Sequence, residues 1–150
     1  MEGIDRLICS SDTCHYVFWD NPVPVVAALV EYDGQYIIAR NKEWPKNIFS
    51  VITGFLERNE SPEQGALREV EEELNLTGNI VRHIGNYSFS EQNQIILCYE
   101  VQATGVIEKN HELVELKLLS ETELIYYDFK PLYITEKIIL DWGSSILYEE

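Results

Sequence analysis

Apolar positions in this chain switch between two periods, and the switches mark its elements. In PVPVVAALVEYDGQYIIAR, Val25 to Tyr32 and Gln35 to Arg40 are β-rich runs. Asp33-Gly34 between them is the strongest short hairpin signal, because both residue types accept the backbone of a two-residue turn. After a polar, Trp-bearing loop (Asn41 to Asn47), Phe49 to Thr53 is predicted as a short strand ending at Gly54. The period then lengthens. Ala66, Leu67, Val70 and Leu74 fall on one helical stripe, with Ser61 as N-cap, Pro62 at the first helical position and Gln64 completing a capping box. Asn75 is the expected stop, since Asn tolerates the left-handed turn that ends helices.

Two further strands are predicted at Ile80 to Tyr87 and Gln94 to Ala103, and another at Leu113 to Leu119. Ser120-Glu-Thr-Glu opens a short helical turn. Leu132, Ile134, Ile138, Ile139 and Trp142 give Pro131 to Trp142 the pattern of an amphipathic helix. Strands and helices alternate without a regular βαβ rhythm. The expected fold class is therefore α/β, a mixed β-sheet with helices on its faces.

At 150 residues, 45% hydrophobic and 25% charged, the chain has the makings of one globular domain. It has no apolar run of membrane-spanning length, and MEGIDRLICSSD lacks the basic region and apolar stretch of a signal peptide. A cytoplasmic location is the expectation. Net charge changes the picture most. At −15, the chain is poorly suited to the general electrostatic grip on nucleic acid or to anionic membranes. A protein this acidic that handles phosphates needs a cation between itself and its substrate, and divalent metal is the usual one. The cysteines, Cys9, Cys14 and Cys98, suggest reduced thiols. Cys98 falls in an apolar strand, and the single pair Cys9/Cys14 cannot close a tetrahedral zinc site.

The segment GFLERNESPEQGALREVEEELNL, residues 54–76, holds seven glutamates. Glu69, Glu72 and Glu73 stand at relative positions 0, 3 and 4, so they project from one side of the predicted helix. Three glutamates on a helix are, taken alone, more often a solvated face than a metal site. Like charges at this spacing nonetheless repel by a few tenths of a kcal/mol per pair, and hard oxygen ligands are what magnesium or manganese prefers. Glu63 and Glu71 point away from this side and are expected to be ordinary solvated residues.

The spacing decides between the two readings. Gly54, five residues, Glu60, seven residues, then Arg68-Glu69-Val70-Glu71-Glu72-Glu73-Leu74-Asn75-Leu76 resembles the Nudix box; only Asn75 departs, where the family has Gly. The resemblance implies a Nudix fold and a divalent-metal-dependent hydrolase. Such enzymes cleave the diphosphate of a nucleoside diphosphate linked to another group, such as ADP-ribose, an NDP-sugar or NAD(H). By the same resemblance Glu69, Glu72 and Glu73 are the metal carboxylates, for Mg2+ or Mn2+. Arg68 orients them, Glu60 supports them from behind, and the Gly54 backbone approaches metal or phosphate closely. Glu57 is a further ligand or water-orienting group, and the water proton goes to Glu73 or to a residue of a later loop. The family also admits a homodimer. Two other classes remain open: a catalytically silent nucleotide sensor on the same fold, and a house-cleaning nucleoside triphosphate pyrophosphohydrolase.

The flanks narrow the branch. HYVFWDNPVPVVAALVEYDG resembles the region before the box in zinc-ribbon Nudix proteins, the group containing NADH pyrophosphatases. Residues 1–20 would then be a degenerate ribbon, with Cys9 and Cys14 its remnant, and residues 21–150 the Nudix domain. HELVELKLL resembles the later segment that brings in another carboxylate, nominating Glu112 as a metal ligand with Glu115 second. Asn86 to Asn93 lacks the Trp- and Pro-rich motif that NADH pyrophosphatases carry downstream of the box, which argues against strict NADH specificity. Aromatic candidates for stacking a base are Phe18, Trp19, Trp44, Phe49 and Phe89. Trp44 is preferred for its polar loop, where Arg40, Lys42 and Lys46 also offer charge to phosphate, whereas Phe49 and Trp19 read as core residues. His15, His83 and His111 show no ligand spacing.

Overall fold

The computed structural model describes residues 3–147. Residues 148–150, at the end of the expected main domain, lie outside the described residues. Two short strands, β1 (Leu7–Ile8) and β2 (Val17–Phe18), form a hairpin of their own. The main sheet contains β3 (Val23–Tyr32), β4 (Gln35–Asn41), β5 (Ile52–Phe55), β6 (Thr77–Phe89), β7 (Gln94–Thr104) and β8 (Leu113–Leu119). Its order is β6-β7-β3-β4-β8, with β5 also on β3. The helices are α1 (Pro62–Leu74), α2 (Glu121–Ile125) and α3 (Tyr133–Leu147).

The long apolar run became the central strand because it is covered on both faces. Val25, Ala27 and Leu29 pack in the cluster that contains Ile138 and Trp142 of α3, while Val26, Ala28 and Val30 pack in the one that contains Ala66, Val70 and Leu74 of α1. β3 runs parallel to β7 along its whole length. On its other side it changes partner: Val25–Ala28 pair with β5, and Val30–Tyr32 with β4. Asp33 and Gly34 turn that hairpin with φ of 49° and 78°, the pair of left-handed residues the sequence demanded.

Helix α1 is capped as its residues predict. The Gln64 backbone N–H donates to Ser61 Oγ (3.2 Å), and the Ser61 N–H donates back to Gln64 Oε1 (2.8 Å). Asn75 ends it in the left-handed region at φ 59°, and Asn75 Nδ2 donates to the Val106 carbonyl (3.3 Å). Asn75→Ala is expected to cost about 1–2 kcal/mol, because Ala pays the left-handed penalty without the side-chain bond. Asn75→Gly should stay within about 1 kcal/mol of wild type. Thermal melts of the two variants check this.

At the other face, α3 is tied to β6. Arg82 Nε donates to Glu100 Oε2 (2.7 Å), Arg82 Nη2 donates to the Trp142 carbonyl (3.1 Å), and the Tyr87 hydroxyl donates to Asp141 Oδ2 (2.7 Å).

Several boundaries differ from expectation. The strand expected at Phe49 to Thr53 is β5, shifted to Ile52–Phe55, so Gly54 sits inside it; of the expected stretch, Ser50 keeps only an isolated bridge to Ala39. β6 begins at Thr77 and ends at Phe89, extended at both ends by pairing with β7, which itself runs one residue further, to Thr104. α3 starts at Tyr133, two residues after the expected Pro131, and continues to Leu147. In residues 1–20 the hairpin carries Cys9 exposed and Cys14 partly buried, whereas Cys98 is buried in β7, where burial pushes its thiol up to about 12. Phe49 is core as expected, but Trp19 is 55% exposed with the Arg6 guanidinium 4.7 Å above its ring. No helix among the described residues is long and apolar enough to cross a membrane.

Candidate active site

Helical spacing put Glu69, Glu72 and Glu73 on one side of α1, but packing treats them differently. Glu73 is only 4% exposed and Glu69 9%, while Glu72 stays exposed. The expected single ligand face is thus two tucked carboxylates and one at the rim. β5 crosses directly over this edge, and a Cβ built at Gly54 would overlap the Glu69 carboxylate. Glycine is needed here for close approach. Gly54→Ala must displace that carboxylate, and a misplacement of about 1 Å within an active site costs on the order of 10²-fold in rate. A drop in kcat of ten- to hundred-fold is therefore expected, with the fold retained by circular dichroism.

One arginine organises the cluster. Arg68 donates to Glu60 from Nε (3.0 Å) and Nη2 (2.8 Å), to Glu69 Oε1 from Nη1 (2.7 Å), to Glu72 Oε2 from Nη1 (3.2 Å) and to the Phe55 carbonyl from Nη2 (2.9 Å). Glu57 stands 3.8 Å from the same Nη1. The fork toward Glu60 matches the planar guanidinium to a carboxylate, and it ties the loop before the helix to the helix itself. The Glu57 N–H adds a bond to Glu60 Oε1 (2.8 Å).

The carboxylates respond according to their surroundings. Arg68 holds Glu60 below the usual carboxylate range. Burial raises Glu69 against the pull of Arg68. Glu73 is pushed up to about 8, first by burial and then by the charges of Glu69, Glu112 and Glu72. Among the described residues, no cation pairs with the Glu73 carboxylate.

Glu112 arrives by a backbone device. The segment after β7 satisfies the free carbonyls at the end of α1, with the Glu108 N–H donating to Leu74 O and the Asn110 N–H to Glu73 O, both at 3.0 Å. The Glu112 N–H then donates to Asn110 Oδ1 (3.0 Å), and the Lys42 N–H donates to the Glu112 carbonyl (2.9 Å). Docking this loop therefore sets a fourth carboxylate beside Glu69 and Glu73.

These groups line one side of a cleft of about 670 Å³. Gly54, Glu57, Arg68, Glu69, Glu72, Glu73 and Glu112 are on its wall, together with Trp44 and Phe89, while Glu60 stands behind through Arg68. Arg40 and Lys46 are not on the wall. Arg40 instead faces Glu115 across β4 and β8, with Nε 3.7 Å from Glu115 Oε2, which also keeps Glu115 off the cleft. Asn41, the neighbour of Arg40, follows an irregularity in the β4–β8 register and does line the cleft. Glu63 and Glu71 are exposed, and Phe18, Trp19, His15, His83 and His111 are not on the cleft wall.

The donor set fits a hard divalent cation. It is all oxygen, strongly negative, and includes in Glu73 a buried carboxylate with its basicity raised and no cation beside it. Among the described residues no three His, Cys, Asp or Glu side chains already converge as a cage. Glu69 and Glu72 are instead drawn to Arg68, with Glu72 exposed at the rim.

The opposite wall was missed by sequence reasoning. Ser50, Thr53, Gln92, Gln94, Leu132 and Thr135 all line the cleft. Ile134 and Ile138 were expected on the apolar stripe of the last helix, but a Thr inside that pattern carries no signal of a site.

A family model, the NUDIX domain, matches residues 21–142. The chain is 28% identical over 114 residues to a mitochondrial NAD(P)H pyrophosphatase, NUDT13, of Mus musculus; the match covers 75% of this chain and 32% of that protein. It is 42% identical over 65 residues to the NAD-capped RNA hydrolase NudC of Mycobacterium tuberculosis, covering 42% of this chain and 20% of that one. The chain thus spans at most about a third of the length of these relatives. Among solved structures, a NUDIX hydrolase from Nitrosomonas europaea superposes with a TM-score of 0.73 at 24% identity, over 89% of this chain and 76% of that one. With the family model covering the box, the sheet and most of α3, this chain is a member of the Nudix hydrolase family.

Proposed function

We propose that the protein is a divalent-metal-dependent pyrophosphohydrolase acting on a nucleoside diphosphate linked to a second group, of the ADP-ribose, NDP-sugar or NAD(H) kind. The observation that carries this reading is the pair of buried carboxylates, Glu69 and Glu73, on the wall of a cleft large enough for a nucleotide. Keeping two such groups desolvated is costly, and a fold tolerates the cost where a cation is meant to sit. The names of the two curated relatives, one a NAD(P)H pyrophosphatase and one a NAD-capped RNA hydrolase, favour a dinucleotide-type diphosphate.

Glu69, Glu72 and Glu73, with Glu112 from the facing loop, would hold magnesium or manganese. When bound, the metal neutralises the diphosphate and makes a coordinated water more acidic. The chain's own residues do the rest. Arg68, anchored by Glu60, fixes Glu69 and Glu72 in orientation. Glu73 and Glu112 line the cleft without an ion pair to Arg68 among the described residues, so one of them accepts the proton of the attacking water. Trp44 and Phe89 offer ring faces for a base.

The test is a substrate panel of ADP-ribose, NDP-sugars, NADH, dinucleoside polyphosphates and oxidised nucleoside triphosphates, in magnesium and in manganese. Turnover of a diphosphate-linked member supports the proposal. Binding without turnover of any member, in either metal, would leave a nucleotide sensor instead, and preferred turnover of the triphosphates would move the protein to the house-cleaning class.

A further inference from the structure

The two walls of the cleft come from opposite faces of the sheet and differ in chemistry. The carboxylates belong to α1 and its loops. The far wall is formed around α3, where Val25, Val51, Ile96 and Ile138 make an apolar lining. Buried in that lining are two hydroxyls from distant parts of the chain. Ser50 and Thr135, 85 residues apart, bring Oγ and Oγ1 to 2.8 Å at 5% and 1% exposure.

Two hydroxyls carry two donor protons, and the bond between them uses one. Among the described residues the second proton meets no protein acceptor, although both residues line the cleft. A spare donor in an apolar wall is costly unless something occupies it. Charge restricts what that something is. Arg68 is the only cation on the described lining, and it is committed to Glu60, Glu69 and Glu72. The far wall has no charge with which to meet a phosphate.

We propose that the Ser50–Thr135 pair is the specificity element of the cleft. It donates one hydrogen bond to an acceptor on an uncharged planar group, a nucleobase or a carboxamide, at the end of the substrate away from the diphosphate. The assignment rests on the function proposed above and names the part of the substrate that the far wall reads. A site built to donate a hydrogen bond discriminates strongly against a group that cannot accept it, because the donor is then left buried and unpaired.

The experiment compares wild type with Ser50→Ala/Thr135→Val on ADP-, GDP-, UDP- and CDP-glucose and on NADH, all in magnesium. Removing both hydroxyls leaves no orphaned partner, and Thr135→Ser retains a hydroxyl as a control. For the preferred substrate kcat/KM should fall about tenfold, mostly through KM, with little change for the others. Thr135→Ser should keep the wild-type preference. A folded double variant with unchanged preference overturns the assignment, as does an equal loss on every substrate, which would mark the pair as merely structural. If wild type turns over nothing, the function proposed above fails on its own. The far wall is then read by calorimetric binding of nicotinamide mononucleotide and the four nucleoside monophosphates: a spread of affinities that the double variant erases upholds it, and an unchanged or absent spread overturns it.

Discussion

Glu73→Gln is expected to lower kcat by about 10²–10⁴-fold, while the metal-free variant becomes more stable than wild type at neutral and higher pH. Both effects have one origin. Glu73 is buried among Glu69, Glu72 and Glu112, which pushes its carboxyl up to about 8 from an ordinary value of 4.5. The folded state therefore holds a proton there that the unfolded chain releases. With more protons bound in the folded state, stability falls as pH rises. The contribution of this group is complete below about pH 4.5 and is lost as pH climbs through the folded value of about 8. Its size is on the order of a few kcal/mol. Melting temperatures in EDTA should accordingly fall between pH 5 and pH 8 for wild type, and the fall should be shallower in the variant. Magnesium should raise the melting temperature of wild type by mass action and do little for Glu73→Gln. Near-wild-type turnover by the variant would remove Glu73 from the site.

The second large effect falls on Arg68. Its guanidinium serves Glu60, Glu69, Glu72 and the Phe55 carbonyl, and its side chain is 21% exposed against 14% for Glu60 and 12% for Glu69. Pairs this enclosed are only partly screened by solvent. Arg68→Met would keep the aliphatic packing and leave two enclosed carboxylates without their cation. Removing one partner from such a cluster costs about 3–5 kcal/mol. For a chain of this size, that is about 10 °C in melting temperature. Turnover should fall as well, since Glu69 and Glu72 lose their orientation. Arg68→Lys restores the charge but not the fork, so it should recover less than half of the lost stability. A melting temperature unchanged in Arg68→Met would show that the network contributes nothing to the fold.

Much of the architecture was legible because it is set by short-range geometry. The hairpin at Asp33-Gly34, the capping box at Ser61 and Gln64, and the helix end at Asn75 each depend on residues a few positions apart. Strand limits were less legible, since a strand extends as far as its neighbour pairs with it. β6 grew to Thr77–Phe89 because β7 lies beside it, and β5 moved to Ile52–Phe55 because β3 holds it there. At the site, the loop cations misled. Arg40, Lys42 and Lys46 are close to Trp44 in sequence, yet Arg40 pairs with Glu115 across the strands, and neither lysine is on the cleft wall.

The sequence by itself determined which carboxylates share one side of α1, because three residues at helical spacing must project together whatever surrounds them. It also carried the family resemblance, since Gly54 to Leu76 matches the Nudix box at every specified position but Asn75. Only the tertiary structure decided how those carboxylates differ. Glu73 is desolvated and Glu72 is not, Glu112 reaches them through a loop that caps the helix, and Ser50 meets Thr135 from 85 residues away. Desolvation depends on what packs over a group, and convergence depends on loops closing between elements remote in the chain. Neither is a local property of the residues involved.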